Sequence, residues 1–181
     1  MNRLKKFSIL LPLVLFALSV QQLQITMAGN PPADGKEVVL KASDVNSKIF
    51  PEQVFFRGKA APVQLRNSGG VHFTDDLYVL AALVDSSGYA SGIKEKYQAY
   101  FISEVTLEIG GQTLKPGSYG VGILGGKFVA MDLGANEVLQ GTAQNDAALK
   151  RAMPLQVLAS ATTGSYRLYI GKDYVEFHRA H

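Results

Sequence analysis

The chain has 181 residues, with 18 Lys and Arg against 15 Asp and Glu, and no cysteine. Without cysteine, a disulfide framework, thiolate metal ligation and a cysteine-linked lipid anchor are all excluded. Three of the basic residues fall in the first 28 positions, which hold no acidic residue, so the remainder balances at 15 against 15. A neutral domain gives no electrostatic reason to expect nucleic acid as a partner.

The first residues carry Arg3, Lys5 and Lys6, then an apolar run from Phe7 to Val20, then small residues near Ala28. This is the layout of a secretory signal peptide. The run is shorter than the roughly 20 residues a helix needs to cross the hydrocarbon core. Residues 1–28 are therefore expected to be removed on export, leaving no stable membrane span. Residues 29–36, GNPPADGK, read as a linker. Residues 37–181 are expected to form a single β domain outside the cytoplasm, long enough to bury a core without staples.

In the domain, QVFFR and PVQLR flank GKAA, and the paired strands they predict set Arg57 and Arg66 on either side of a loop. Two guanidiniums so placed could clamp an anion; two solvated arginines on a sheet edge are the plainer expectation. GGVHFTDD, residues 69–76, holds the His/acid cluster, His72 with Asp75 and Asp76. It suits a general base or a metal ligand, and equally a turn leading into a strand. LYVLAALV, 77–84, is apolar throughout and reads as a buried strand. In YQAYFISEVTLEI, 97–109, apolar residues alternate from Tyr97 and Phe101 to Ile109, predicting a half-buried strand bent near Ser103.

GVGILG, 120–125, has the G-x-G-x-x-G spacing of a dinucleotide loop. A Pro-Gly turn lies just upstream, however, and another strand pattern follows in GKFVAMDL, so no strand-to-helix junction surrounds it. No cofactor is expected. Instead Tyr119, Val121 and Ile123 line one face of a strand, and Gly120 and Gly122 leave the other bare for a close approach. QNDAALKRAM, 144–153, predicts the one short helix, with Asn145 or Asp146 as N-cap and Pro154 as the stop. PLQVLA, SYRLYI and YVEFH add strands. GSYRLYIGKDYV, 164–175, echoes GSYGVGILGGKFV, 117–129, which predicts two hairpins of related design. The terminal HRAH, with His178 and His181, reads as a frayed tail and is expected to hold no metal.

VTLEIGGQTLKPGSYGVGIL, 105–124, resembles a hairpin pattern of uncharacterised exported bacterial β-sandwich proteins: strand, Gly-Gly turn, Leu-x-Pro-Gly-x-Tyr, strand. AMDLG followed by PLQV is similar to companion segments in them. The resemblance implies a fold and carries over no catalytic residue.

The expected architecture is an all-β, mostly antiparallel sandwich or partly closed barrel. The expected function is a secreted or periplasmic, non-enzymatic binding or structural module of the bacterial envelope, with a small molecule or an envelope protein as partner. The alternative is a carrier whose β-barrel holds an apolar or aromatic ligand, with Tyr97, Phe101, Tyr119 and Tyr166 near the mouth. The third reading is a hydrolase using His72, Asp75 and Asp76, although no nucleophile elbow or other catalytic motif accompanies them.

Overall fold

The computed structural model describes residues 35–56 and 59–180. In chain order their elements are β1 (Val38–Leu40), β2 (Gln53–Phe56), β3 (Lys59–His72), β4 (Tyr78–Val84), α1 (Ser91–Lys94), β5 (Ala99–Ser103), β6 (Leu107–Ile109), β7 (Gln112–Leu114), β8 (Gly117–Leu124), β9 (Lys127–Met131), β10 (Glu137–Thr142), β11 (Gln144–Asn145), β12 (Leu155–Ala159), β13 (Ser165–Ile170) and β14 (Asp173–Arg179). The larger sheet runs β1-β3-β4-β5-β8-β9-β10, with β2 on β3; the smaller runs β12-β13-β14-β6-β7, with β11 on β14. Neither sheet closes on itself. The fold is an antiparallel sandwich, and the barrel alternative is set aside.

The main core lies between the sheets, and alternation fills it from both sides. The expected long strand over 97–109 is in fact two strands. β5 belongs to the larger sheet and β6 to the smaller, and the chain changes sheets at 104–106. Ser103 Oγ donates to the Val105 carbonyl at 2.6 Å and pins this corner. The alternation runs unbroken through the crossing because Ala99, Phe101, Val105, Leu107 and Ile109 all face the same core. The resembling hairpin pattern crosses back in the same way. β6 and β7 turn at Gly110-Gly111, both with positive φ, and Lys115-Pro116 leads into β8 of the larger sheet. The Tyr119 hydroxyl donates to the Lys115 carbonyl at 2.8 Å, so the tyrosine of that pattern ties its own corner.

The echoing segments are hairpins β8–β9 and β13–β14, one in each sheet. Val121, Ile123 and Tyr119 from the first meet the same core as Leu168, Tyr166 and Ile170 from the second. Similar strips thus enter one core from opposite sides.

The larger sheet is covered on its outer face as well, which accounts for the unbroken apolar run of β4. Val79 and Ala81 enter the main core, whereas Leu80 and Ala82 pack outward under Val45 and Phe50 of the β1–β2 connection. Beside them Tyr97, Val129 and Met131 form an outer cluster with Tyr89 and Ile93.

The helix expected over 144–153 is not formed. Asn145 pairs with Asp173 in β14, and its side-chain amide donates to the Asp173 carboxylate at 2.7 Å. Asp146, the expected cap, instead accepts the Ala148 amide at 3.1 Å in a local turn and the Tyr169 hydroxyl at 2.9 Å. Strand pairing and this anchor override helix propensity. The one helical turn among the described residues, α1, lies in SGIK instead and follows Ala90, whose side chain makes no cap.

Candidate functional site

His72 sits at the end of β3, and the turn that follows brings Asp76 back to it. His72 Nε2 lies 2.7 Å from Asp76 Oδ1, and its ring stacks on Tyr78 with centroids 4.1 Å apart. Asp76 has φ 64, a left-handed conformation that disfavours a non-glycine residue. Asp75 points elsewhere, to Arg179 Nη2 at 2.8 Å, and Arg179 also lies over the Phe73 ring. Among the described residues no serine or threonine hydroxyl bonds to His72. The arrangement braces a hairpin turn and ties it to β14. No group of three or more side chains able to hold a metal occurs among the described residues. His178 pairs with Glu108 at 3.2 Å, a carboxylate brought to it by the β14–β6 pairing; His181 lies outside the described residues.

The Arg179 hydrogen bond holds the Asp75 carboxyl below the usual carboxylate range. Because the folded value is the lower one, this contact stabilises the fold above the ordinary carboxylate pKa of about 3.9, and its contribution is lost as pH falls through the folded value. Arg179→Gln should return the Asp75 titration, followed by carboxyl NMR, toward the ordinary value. An unmoved Asp75 midpoint would assign the shift to the turn backbone instead.

The aromatic candidates do not converge on a cavity. Phe101 is buried between the sheets, edge-on to Phe177, with Tyr119 opposite it in β8. The Tyr166 ring packs on Phe177 and Phe73, and its hydroxyl donates to Glu37. Burial, then Glu37, raises the Tyr166 phenol pKa. Tyr97 lies on the opposite face of the larger sheet, fully buried, its phenol pushed up by desolvation.

Gly120 and Gly122 face that same outer side, and both are covered. A Cβ on Gly120 would fall inside the Tyr97 ring, and one on Gly122 would strike the Lys96 carbonyl. Gln98 adds a lock across the strip, its amide donating to the Ile123 carbonyl at 3.1 Å and accepting the Ile123 amide at 3.1 Å. The glycines admit the 96–98 segment, not a ligand. At the matching positions of the second hairpin, Arg167 and Tyr169 fill their own face. There Arg167 pairs with Glu176 and lies over Tyr174.

Arg57 lies outside the described residues. Arg66 lies on β3 beyond the stretch paired with β2, which runs from Lys59 to Pro62. It sits in a bulge, since Gln64 pairs with Leu83 and Ser68 with Ala82, so residues 65–67 are extra.

That bulge helps to form a groove of about 300 Å³ at one margin of the sandwich. Leu40 to Ser43, where the chain leaves β1, make one wall, and Met153 with Leu155 to Leu158 of β12 make the other; Arg66 and Ser68 close it from β3. The two sheets are pinched together beside it at Gly69, where a Cβ would come 3.0 Å from the Val157 nitrogen and 3.2 Å from the Leu40 carbonyl. Glycine there lets β12 reach β3. A second hollow, about 370 Å³, is lined by Glu37, residues 162–165, His178 and Arg179. Its charged groups are already engaged, Arg179 with Asp75, His178 with Glu108 and Glu37 with Tyr166.

Comparison of the chain with protein-family models, curated proteins and solved structures finds no match. The site must stand on its geometry. Of the described residues singled out from sequence as site candidates, only Arg66 lines the apolar groove. Lys41, Ala42, Met153 and Leu158 were not indicated. The available signal was the loss of alternation in RNSGG, 66–70, which marks a bulge beside a close approach.

Proposed function

We propose that the protein is an exported, non-enzymatic binding module of the bacterial envelope, and that its site is the groove between the β1 exit and β12. The observation that carries this reading is the contrast in packing. The space between the sheets is filled by interlocking side chains, whereas the margin leaves an apolar hollow walled by Leu40, Met153, Leu155 and Val157. Its volume stands at the lower end of the roughly 300–1,000 Å³ usual for small-molecule sites, and an apolar lining with few polar groups is their common form. Export rests on the signal-like residues 1–28, and the resemblance to exported β-sandwich proteins points the same way. The carrier alternative takes a changed form here, with the ligand at a sheet margin instead of inside a barrel.

Native mass spectrometry of the protein purified from its own source tests the reading. A small-molecule mass is expected on the wild type and absent from Ala42→Phe, which fills the groove. The reading is overturned if no mass is retained, or if the purified protein turns over a substrate and loses that activity on His72→Ala.

A further inference from the structure

We infer that the groove takes a single-chain amphiphile with an anionic head, an alkyl carboxylate or alkyl phosphate, the chain lying along β12 and the head between Lys41 and Arg66. This rests on the groove being the binding site. Both cations line it, both residues are exposed, and neither forms an ion pair among the described residues. They come from different elements, Lys41 from the β1 exit and Arg66 from the β3 bulge, so an anion would join the β1-exit wall to the side that β3 closes. The nearby Asp44 carboxylate is engaged locally, accepting the Lys41 amide at 2.9 Å and the Ser43 hydroxyl at 3.2 Å. The third mark is Gln156, whose side-chain amide nitrogen is buried without a hydrogen-bond partner among the described residues. A buried donor lacking an acceptor is rare in folded proteins, and a ligand oxygen is one group that satisfies it. The apolar lining suits a chain, since a methylene occupies about as much space as a water, roughly 30 Å³, and eight to ten carbons would fill the hollow.

The test is calorimetric titration of the purified exported protein with hexanoate, octanoate and decanoate, and with octyl phosphate, octanol and octyltrimethylammonium as length-matched arms. Affinity should rise about fourfold per methylene until the groove is full. The octanoate and octyl phosphate arms decide which head is preferred, and octyltrimethylammonium should bind at least about tenfold more weakly than either, the scale of one charge-assisted hydrogen bond. Lys41→Gln with Arg66→Gln should remove about tenfold or more from octanoate and leave octanol unchanged. Equal binding of octanol and octanoate to the wild type overturns the anionic head while leaving the groove as a site. Saturable binding by none of the six compounds, with Ala42→Phe indistinguishable from wild type, overturns the proposal together with the reading beneath it.

Discussion

Gly120→Val should destabilise the domain by about 3 kcal/mol, the upper part of the range for forcing atoms into a packed core. Strand propensity alone points the other way, because a β-branched residue normally improves a strand position held by glycine. Two observations decide the sign. Gly120 does not adopt a positive φ, so its backbone accepts any residue. The added Cβ, however, would land within the Tyr97 ring, which is itself completely buried and packed edge-on to Tyr89. Tyr97 cannot swing into solvent without uncovering Val129 and Met131 beneath it. Urea denaturation followed by circular dichroism gives the midpoint, and a variant as stable as wild type would show that the 96–98 segment does not rest on the strand. The paired change Gly120→Ala with Tyr97→Leu should cost less than the two single changes added together, by roughly 0.5–3 kcal/mol, the coupling expected of residues in contact.

This pair also marks how far the sequence could be read. Alternation in residues 97–109 and 117–124 predicts strands and their inward faces; Phe101, Tyr119, Val121 and Ile123 lie on the core side as expected, whereas Tyr97, read onto the same face as Phe101, precedes β5 and packs on the outer side. The bare strip at Gly120 and Gly122 is legible as a place of close approach, yet periodicity cannot say what approaches. The cover comes from residues 96–98, which reach the strip only because the chain folds back through α1 before β5. The segment 144–153 shows the opposite limit. Its helix signals are sound locally, but Asp146 finds Tyr169, and Asn145 finds Asp173, through strands formed more than twenty residues later. Tertiary partners of that kind leave no local mark. The groove is the least legible feature, because residues 40–43, 66–68 and 153–158 are joined by topology alone and share no motif.

Phe177→Ala should have an effect as large as that of Gly120→Val or larger, about 3–5 kcal/mol, the usual range for truncating a buried aromatic ring. Phe177 is 1% exposed on β14 of the smaller sheet, and its ring meets Phe101 of the larger sheet at 6.4 Å and 87°, with its cross-strand neighbour Tyr166 at 5.7 Å. It is therefore a bridge between the sheets, and the hole it leaves is lined by two other rings. A domain of this size has a total stability of only about 5–15 kcal/mol, so the variant should melt far below the wild type and can be partly unfolded at 37 °C. Phe55→Ala is the control. That ring is 67% exposed on β2, and its removal should change stability by less than about 0.5 kcal/mol. Similar losses from the two changes would mean that the sheets are not held together through the Phe101, Phe177 and Tyr166 contacts. Leu155 and Val157 belong to both this core and the groove wall, so a groove ligand that binds only the folded state should raise the Phe177→Ala midpoint by mass action. Octanoate should therefore stabilise this variant while leaving Ala42→Phe unmoved, which separates damage to the core from damage to the site.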